Sequence, residues 1–233
     1  LKAAKAQPKI IKYVRDKFNC ETCMKQRRQI SRRRAAYPRT FEFNRIVGAD
    51  VFFVKWGSKK VPFLNLVDHG SNWQCVVMVR PAGGGDPSNG NPNSDDTWHC
   101  MLSSWIRPHG APEVLVTDGG MEFRGRFERG LEQLSVLHNV TDIQSPWQNG
   151  RVERHGQWIK DRVELEMSSG ASILENLNDL EDLIMELVSC KNVWFSRGGY
   201  SPAQSVYGRN PRLPPELLSD AEQASPGWAD ILC

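Results

Sequence analysis

Three carboxylates stand at positions from which they could act together, and the first of them is costly to place. Asp50 interrupts an otherwise apolar run, Ile46-Val47-Gly48-Ala49-Asp50-Val51-Phe52-Phe53-Val54. An unpaired ionised carboxylate buried there costs several kcal/mol, so something must compensate it. Asp118 directly follows the apolar run Val114-Leu115-Val116-Thr117 and precedes Gly119-Gly120. That is the carboxyl end of a strand, where open α/β sheets place their ligands. Glu153 falls in the first turn of a helix opened by Asn149-Gly150. If the strands bearing Asp50 and Asp118 are neighbours, the three acids converge. A set of oxygen donors suits Mg²⁺ or Mn²⁺ and lacks the His/Cys ligands that zinc prefers. Two such ions, roughly 3.5–4 Å apart, bind the attacking and leaving oxygens of an in-line displacement at phosphorus, so the expected chemistry is phosphoryl transfer. Taken singly, each acid also has an ordinary reading, because a strand-end Asp forms turns and a first-turn Glu meets the helix dipole.

The elements that must position these acids follow from the apolar pattern. Three strand-like runs, IVGADVFFVKW, VPFLNLVD and WQCVVMV, are separated by Gly57-Ser58-Lys59-Lys60 and His69-Gly70-Ser71-Asn72. Two short turns joining three such runs predict an antiparallel meander. Pro81 to Asp96 is mostly Gly, Pro, Asn, Ser and Asp and reads as a surface loop,. Ser94 with Asp95 and Asp96 opens a helix whose Trp98, Met101, Leu102, Trp105 and Ile106 share a face until Pro108 and Gly110,. Val114 to Val116 is the short apolar run of a buried parallel strand, Phe123, Phe127, Leu131 and Leu134 repeat at helical spacing, and Leu137 to Val140 forms a further strand,. A helix follows from Arg151 to Met167, and Ser172 opens another through Val193. The order β-β-β-α-β-α-β-α-α predicts an α/β domain with a mixed sheet.

Composition bounds the rest. The 233 residues, 39% of them hydrophobic, suffice for one sizeable core,. No run approaches the roughly 18 apolar residues of a membrane span, and the basic N-terminus lacks a signal peptide's apolar stretch, so a soluble, intracellular protein without a membrane partner is expected. Six scattered cysteines fit a reducing compartment,. The net charge of +3 hides an asymmetry: residues 1–40 carry 13 Lys and Arg against 2 acids, a net +11, and the remainder carries 17 against 25, a net −8. A basic head before an acidic body fits contact with phosphates; a solvated tail has the same composition.

The strings VTDGGMEF (Val116 to Phe123), SPWQNGRVER (Ser145 to Arg154) and YSPAQSVYGRNPRLP (Tyr200 to Pro214) resemble hallmark segments of the catalytic core of integrases from LTR retrotransposons and retroviruses. The resemblance runs from about Gly48 to Pro214 and rests on three motifs in order. It implies an RNase H-like fold, a five-stranded mixed sheet flanked by helices, in which Asp50, Asp118 and Glu153 are the catalytic triad holding two Mg²⁺ or Mn²⁺ ions. The spacing from Asp118 to Glu153 is one residue shorter than is usual in the family, which a deletion in the loop between Leu137 and Ser145 accounts for. The implied activity is divalent-metal-dependent 3′-end processing of retroelement DNA and its strand transfer into target DNA, by a homo-oligomer acting in the nucleus. The basic run Lys25 to Arg34 fits nuclear import or a phosphate-binding linker equally well. The alternatives are an RNase H-type nuclease and a domesticated domain that binds DNA without catalysing.

The resemblance further maps DNA contacts onto Gln148, Asn149, Gly150, Arg151, Arg154, Gln157 and Lys160. Lys160 lies two turns beyond Glu153 on the same face; an ordinary solvated helix face also explains Arg154 and Lys160. His155 points away from that face and reads as a surface residue. Cys20-Glu21-Thr22-Cys23 resembles the cysteine half of the zinc module that precedes integrase cores, but all five histidines lie downstream, so either Zn²⁺ binds with ligands that precede this sequence or the thiols are free,. The expected organisation is a zinc-module remnant and basic linker over 1–40, the catalytic core over 41–214 and a flexible tail over 215–233. Tyr200-Ser201-Pro202 and Gly208-Arg209-Asn210-Pro211 show no chemistry of their own and read as stops for the last helix.

Overall fold

The structure is a computed structural model, and it describes residues 7–17, 42–88, 90–141, 150–169, 174–195 and 199–211. Two compact units divide the chain: Leu1–Arg32 with Asn210–Cys233, and Arg33–Arg209. In the first, α1 (Pro8–Asp16) begins on a proline, whose fixed φ is already helical and whose missing N–H is not needed at the first position,. Its Ile10 and Tyr13 are exposed.

The second unit is built on a five-stranded sheet in the order β3-β2-β1-β4-β5. The expected meander forms as β1 (Ile46–Trp56), β2 (Lys59–Asp68) and β3 (Gln74–Met78), antiparallel throughout. Its first turn is only Gly57-Ser58, since Trp56 pairs with Lys59 and both Lys59 and Lys60 belong to β2. Gly57 takes φ 58°, the left-handed conformation that a two-residue hairpin favours and that glycine adopts without a Cβ clash,. β4 (Val114–Thr117) pairs parallel with β1, and β5 (Leu137–Val140) parallel with β4.

Helices make the crossovers. α2 (Ser94–Met101) is capped by Asn93, one residue earlier than read from the sequence; its side chain accepts from the Asp96 amide at 2.8 Å,. The helix does not run evenly to Pro108. It widens into a π-turn at Leu102–Ile106, continues over Arg107–His109, and ends at Gly110 with φ 84°. The Ser103 and Ser104 hydroxyls bond back to the His99 and Cys100 carbonyls within this stretch, and Pro108 has no N–H to return to Ser104,. A 3₁₀ turn at Met121–Phe123 leads to α3 (Arg126–Gln133), which crosses from β4 to β5.

After the sheet come α4 (Gly150–Ser169) and α5 (Leu177–Trp194). The second of these starts later than the reading from Ser172, which lies outside the described residues. Asn176 is the cap: it accepts from the Asn178 and Asp179 amides, and Asp179 accepts in return from the Asn176 amide,. Pro202 likewise starts a helix rather than stopping one. α6 (Pro202–Tyr207) has Ser201 as its cap, Pro202 in its first turn and Gly208 at φ 73° as its end,.

Strand alternation splits the core into two layers. Val47, Ala49, Leu64, Leu66 and Leu115 pack with Trp98, Met101, Trp105, Phe127 and Leu131 of the crossover helices. Phe52, Val54, Val61 and Phe63 pack on the other side with Ile159, Val163, Leu180 and Ile184 of α4 and α5. In the first layer α3 lies so close to α2 that a Cβ on Gly130 would fall 2.5 Å from the Trp98 ring. Gly130→Ala therefore overpacks a buried helix contact and is expected to lower stability by about 1–3 kcal/mol, read as a lower urea midpoint with an unchanged m-value.

Candidate active site

The strand register brings the two aspartates together. Ile46, Val47 and Gly48 of β1 pair with Val114, Leu115 and Val116 of β4. Continued by two residues, that register sets Asp50 level with Asp118, the first residue beyond β4. On β1 the even-numbered residues Gly48, Asp50 and Phe52 share one face, because side chains alternate along a strand. α4 covers this face. A Cβ on Gly48 would lie 2.2 Å from Cγ2 of Val152, and a Cβ on Gly156 would lie 3.4 Å from the Phe52 ring. Two missing side chains, one on each element, thus let helix and strand approach on either side of Asp50. Glu153 follows the fully buried Val152 and sits exposed in the first turn of α4.

Electrostatics report the convergence. The Asp50 carboxyl is pushed up to about 6, first by burial and then by the charges of Asp118 and Glu153; Glu122 adds to this, and the Lys160 ammonium opposes it,. Asp118 is exposed, and its Oδ1 accepts from the Gly120 amide at 3.1 Å. Glu122 is an acid of the site that the spacing argument missed. The chain after Asp118 bends at Gly119, and the Glu122 carboxylate folds back to 2.7 Å from where a Cβ on Gly120 would stand. Beside Asp118, a recess of about 290 Å³ is lined by Gly119, Gly120, Phe123, Arg124 and His138 among others.

The donor set fits a hard divalent cation. Asp50, Asp118 and Glu153 offer oxygen alone, and a cation would relieve the repulsion that raises Asp50. Among the described residues, no three or more His, Cys, Asp or Glu side chains stand close enough together to hold a metal ion as they are placed.

The residues mapped as DNA contacts separate. Gln148 and Asn149 lie outside the described residues, as do Cys20 and Cys23. Lys160 joins the acids: it is half-buried, its Nζ lies 5.9 Å from the centre of the Phe52 ring, and its charge acts on Asp50. Arg151 turns to the opposite side and donates to the His69 carbonyl. Arg154 and Gln157 are exposed on α4, where Arg154 Nε donates to the Gly150 carbonyl at 2.8 Å and Gln157 to Asp161 at 2.7 Å. His155 is not a surface residue. Its ring lies against α5, with Nδ1 2.8 Å from Lys191 Nζ, and burial together with the Lys191 charge holds it well below the ordinary histidine range.

No protein-family model and no curated protein matches the sequence. Solved structures do match. A chain of the simian T-cell lymphotropic virus intasome, determined in complex with PP2A regulatory subunit B56 gamma, aligns with a TM-score of 0.62 at 19% identity over 84% of this chain. The integrase catalytic core domain of HTLV-2, a dimeric form in complex with magnesium, aligns with a TM-score of 0.54 at 20% identity, covering 70% of this chain and 95% of that one. The catalytic core domain of BIV integrase aligns at 0.52 and 17%, covering 69% and 92%. The chain shares the fold of retroviral integrase catalytic cores. The five-stranded mixed sheet with flanking helices is thus the RNase H-like fold expected from the sequence. The chain spans 65% of the length of the intasome protein, and among the described residues no helix is long and apolar enough to cross a membrane.

The raised Asp50 carboxyl has a stability consequence. Its ionised form is disfavoured in the fold, so the penalty is absent below the unfolded value near 3.8 and complete above about 6,. In metal-free protein, Asp50→Asn should therefore raise the melting temperature at pH 8, by the equivalent of roughly 1–3 kcal/mol, and leave it unchanged near pH 3.5. An equal gain at both pH values would show that Asp50 is not held above its normal range.

Proposed function

We propose that this chain is a divalent-metal-dependent polynucleotidyl transferase of the integrase type, which trims the 3′ end of retroelement DNA and joins it to target DNA. The observation that carries the reading is the registered pair Asp50 and Asp118 with Glu153 brought beside it by the Gly48–Val152 contact. The likeness to integrase cores, one of them determined with magnesium, supports it. Asp50 and Asp118 would hold or bridge two Mg²⁺ or Mn²⁺ ions, and Glu153 would complete the second position. When bound, such ions activate the attacking hydroxyl and stabilise the leaving oxygen of the phosphodiester. The attacking oxygen is that of water in trimming and the freed 3′-hydroxyl in joining; one P–O bond forms as another breaks, and no residue of the protein bonds to phosphorus. Lys160, already within electrostatic reach of Asp50, would hold the DNA phosphate, and Arg154 and Gln157 would line its path. The protein acts as a homo-oligomer on two DNA ends, in the compartment that holds the target DNA.

The test is Mg²⁺- or Mn²⁺-dependent joining of a short duplex to plasmid DNA, with a branched substrate that requires only the core run alongside. Glu153→Gln should reduce both reactions by at least about a hundredfold, the scale of losing one charge-stabilising group in a transition state, without loss of DNA affinity. A folded wild-type protein that binds DNA but shows no metal-dependent chemistry on either substrate would replace this reading with a non-catalytic DNA-binding domain, and cutting of the RNA strand of a hybrid would replace it with an RNase H.

Lys160→Ala should weaken DNA binding evenly across sequences and reduce the slope of log K against log [salt] by about 1, the signature of one lost phosphate contact. An unchanged slope would remove Lys160 from the interface.

A further inference from the structure

Opposite Asp50, across the β1–β2 ladder, stands Asn65. It is fully buried on the face of β2 that carries Phe63, and it starts a chain of polar groups through the otherwise apolar layer between the sheet and the helices α4 and α5. Its Nδ2 donates to the Val152 carbonyl of α4 at 2.9 Å, and its Oδ1 accepts from Gln74 Nε2 at 2.8 Å. Gln74 Oε1 accepts from Lys191 Nζ of α5. The Gln74 backbone is fixed on both sides by Asn192, which accepts from its amide at 3.0 Å and donates to its carbonyl at 2.8 Å. Lys191 Nζ then returns to α4, 2.8 Å from His155 Nδ1 and 5.2 Å from the centre of the Trp158 ring. The chain closes on the helix from which it began, and its two ends, Val152 and His155, bracket Glu153.

Burying two amides and an ammonium costs several kcal/mol unless their hydrogen bonds are made, and apolar residues of like volume would pack the layer at least as stably. What the polar chain adds is direction. Val152, Ile159 and Val163 hold α4 to the sheet, but apolar contact tolerates sliding and rotation, whereas an amide donating to one carbonyl does not. Gly156 leaves room for it: a Cβ there would lie 3.3 Å from Asn65 Nδ2. A directional anchor is needed here because the charges of Asp50 and Glu153 repel, pushing α4 away from β1.

We propose that Asn65, Gln74 and Lys191 are positioning residues: they set the rotation and axial register of α4 and so hold Glu153 beside Asp50 and Asp118. They touch neither DNA nor its reacting atoms. The inference rests on the integrase reading for its consequence in catalysis, but the placement of the helix can be tested without it.

The experiment is amide hydrogen exchange on the full chain, paired with titration of Mn²⁺ alone by its paramagnetic resonance signal, for wild type, Asn65→Ala and the volume-conserving Gln74→Leu. Exchange over the first two turns of α4 should speed up by about tenfold, the scale of one lost buried hydrogen bond, while the β1–β2 ladder keeps its protection. Mn²⁺ affinity should fall by a similar factor in each variant that keeps the ladder protected. Wild-type exchange in α4 with wild-type Mn²⁺ affinity in either folded variant overturns the proposal, and so does exchange that quickens equally through α4 and the ladder in both, which is the mark of simple destabilisation. Wild-type protein that binds no Mn²⁺ would tell against the integrase reading instead, with the exchange comparison still deciding whether the polar chain holds the helix.

Discussion

Negative charge concentrated at one point of an apolar sheet sets the terms for this molecule. Asp50 lies within a largely buried strand, with Asp118 just past the end of the adjacent strand and Glu153 on the helix that covers this face. Burial and mutual repulsion both disfavour its charge,. Much of the surrounding architecture can be read as what keeps these acids together despite that cost: glycines that let α4 approach, a lysine on the same face, and a sheet register that leaves little freedom in the placement of the aspartates.

The site is assembled from elements far apart in the chain, and each contributes one constraint. The β1–β4 pairing supplies the lateral spacing of the aspartates, the Gly48–Val152 contact the height of α4, and the Asn65–Val152 hydrogen bond its rotation. Lys160 offsets part of the charge from two turns along the helix. None of these constraints lies in a flexible connection, which is how a site built on strands and helices keeps geometry that a loop would lose.

Roles divide along α4 by face. The side towards the sheet carries Val152, Ile159 and Val163, the side towards α5 carries His155 and Trp158, and Glu153, Arg154 and Gln157 are exposed. Arg151, half-buried, donates from its guanidinium to the His69 carbonyl within the fold.

Much of this was legible in the amino-acid sequence. The alternating and helical periodicities of burial revealed the meander, β4, β5 and the helix carrying Glu153, and the types and order of Asp50, Asp118 and Glu153 suggested the chemistry proposed for the site, because local patterning and donor type are properties of short segments. Boundaries set by a single cap, at Asn93 and Asn176, were displaced, and the short helix capped by Ser201 was read as a stop, since capping depends on which side chain folds back on which amide. What only the tertiary structure decided was everything that joins distant segments: that β1 and β4 are neighbours in a register that, extended, sets Asp50 level with Asp118, that Glu122 turns towards the site, that His155 is covered, and that Asn65, Gln74 and Lys191 form one chain. Such pairings are selected by the packing of the whole sheet and helix layer, and no periodicity within a segment encodes its partner.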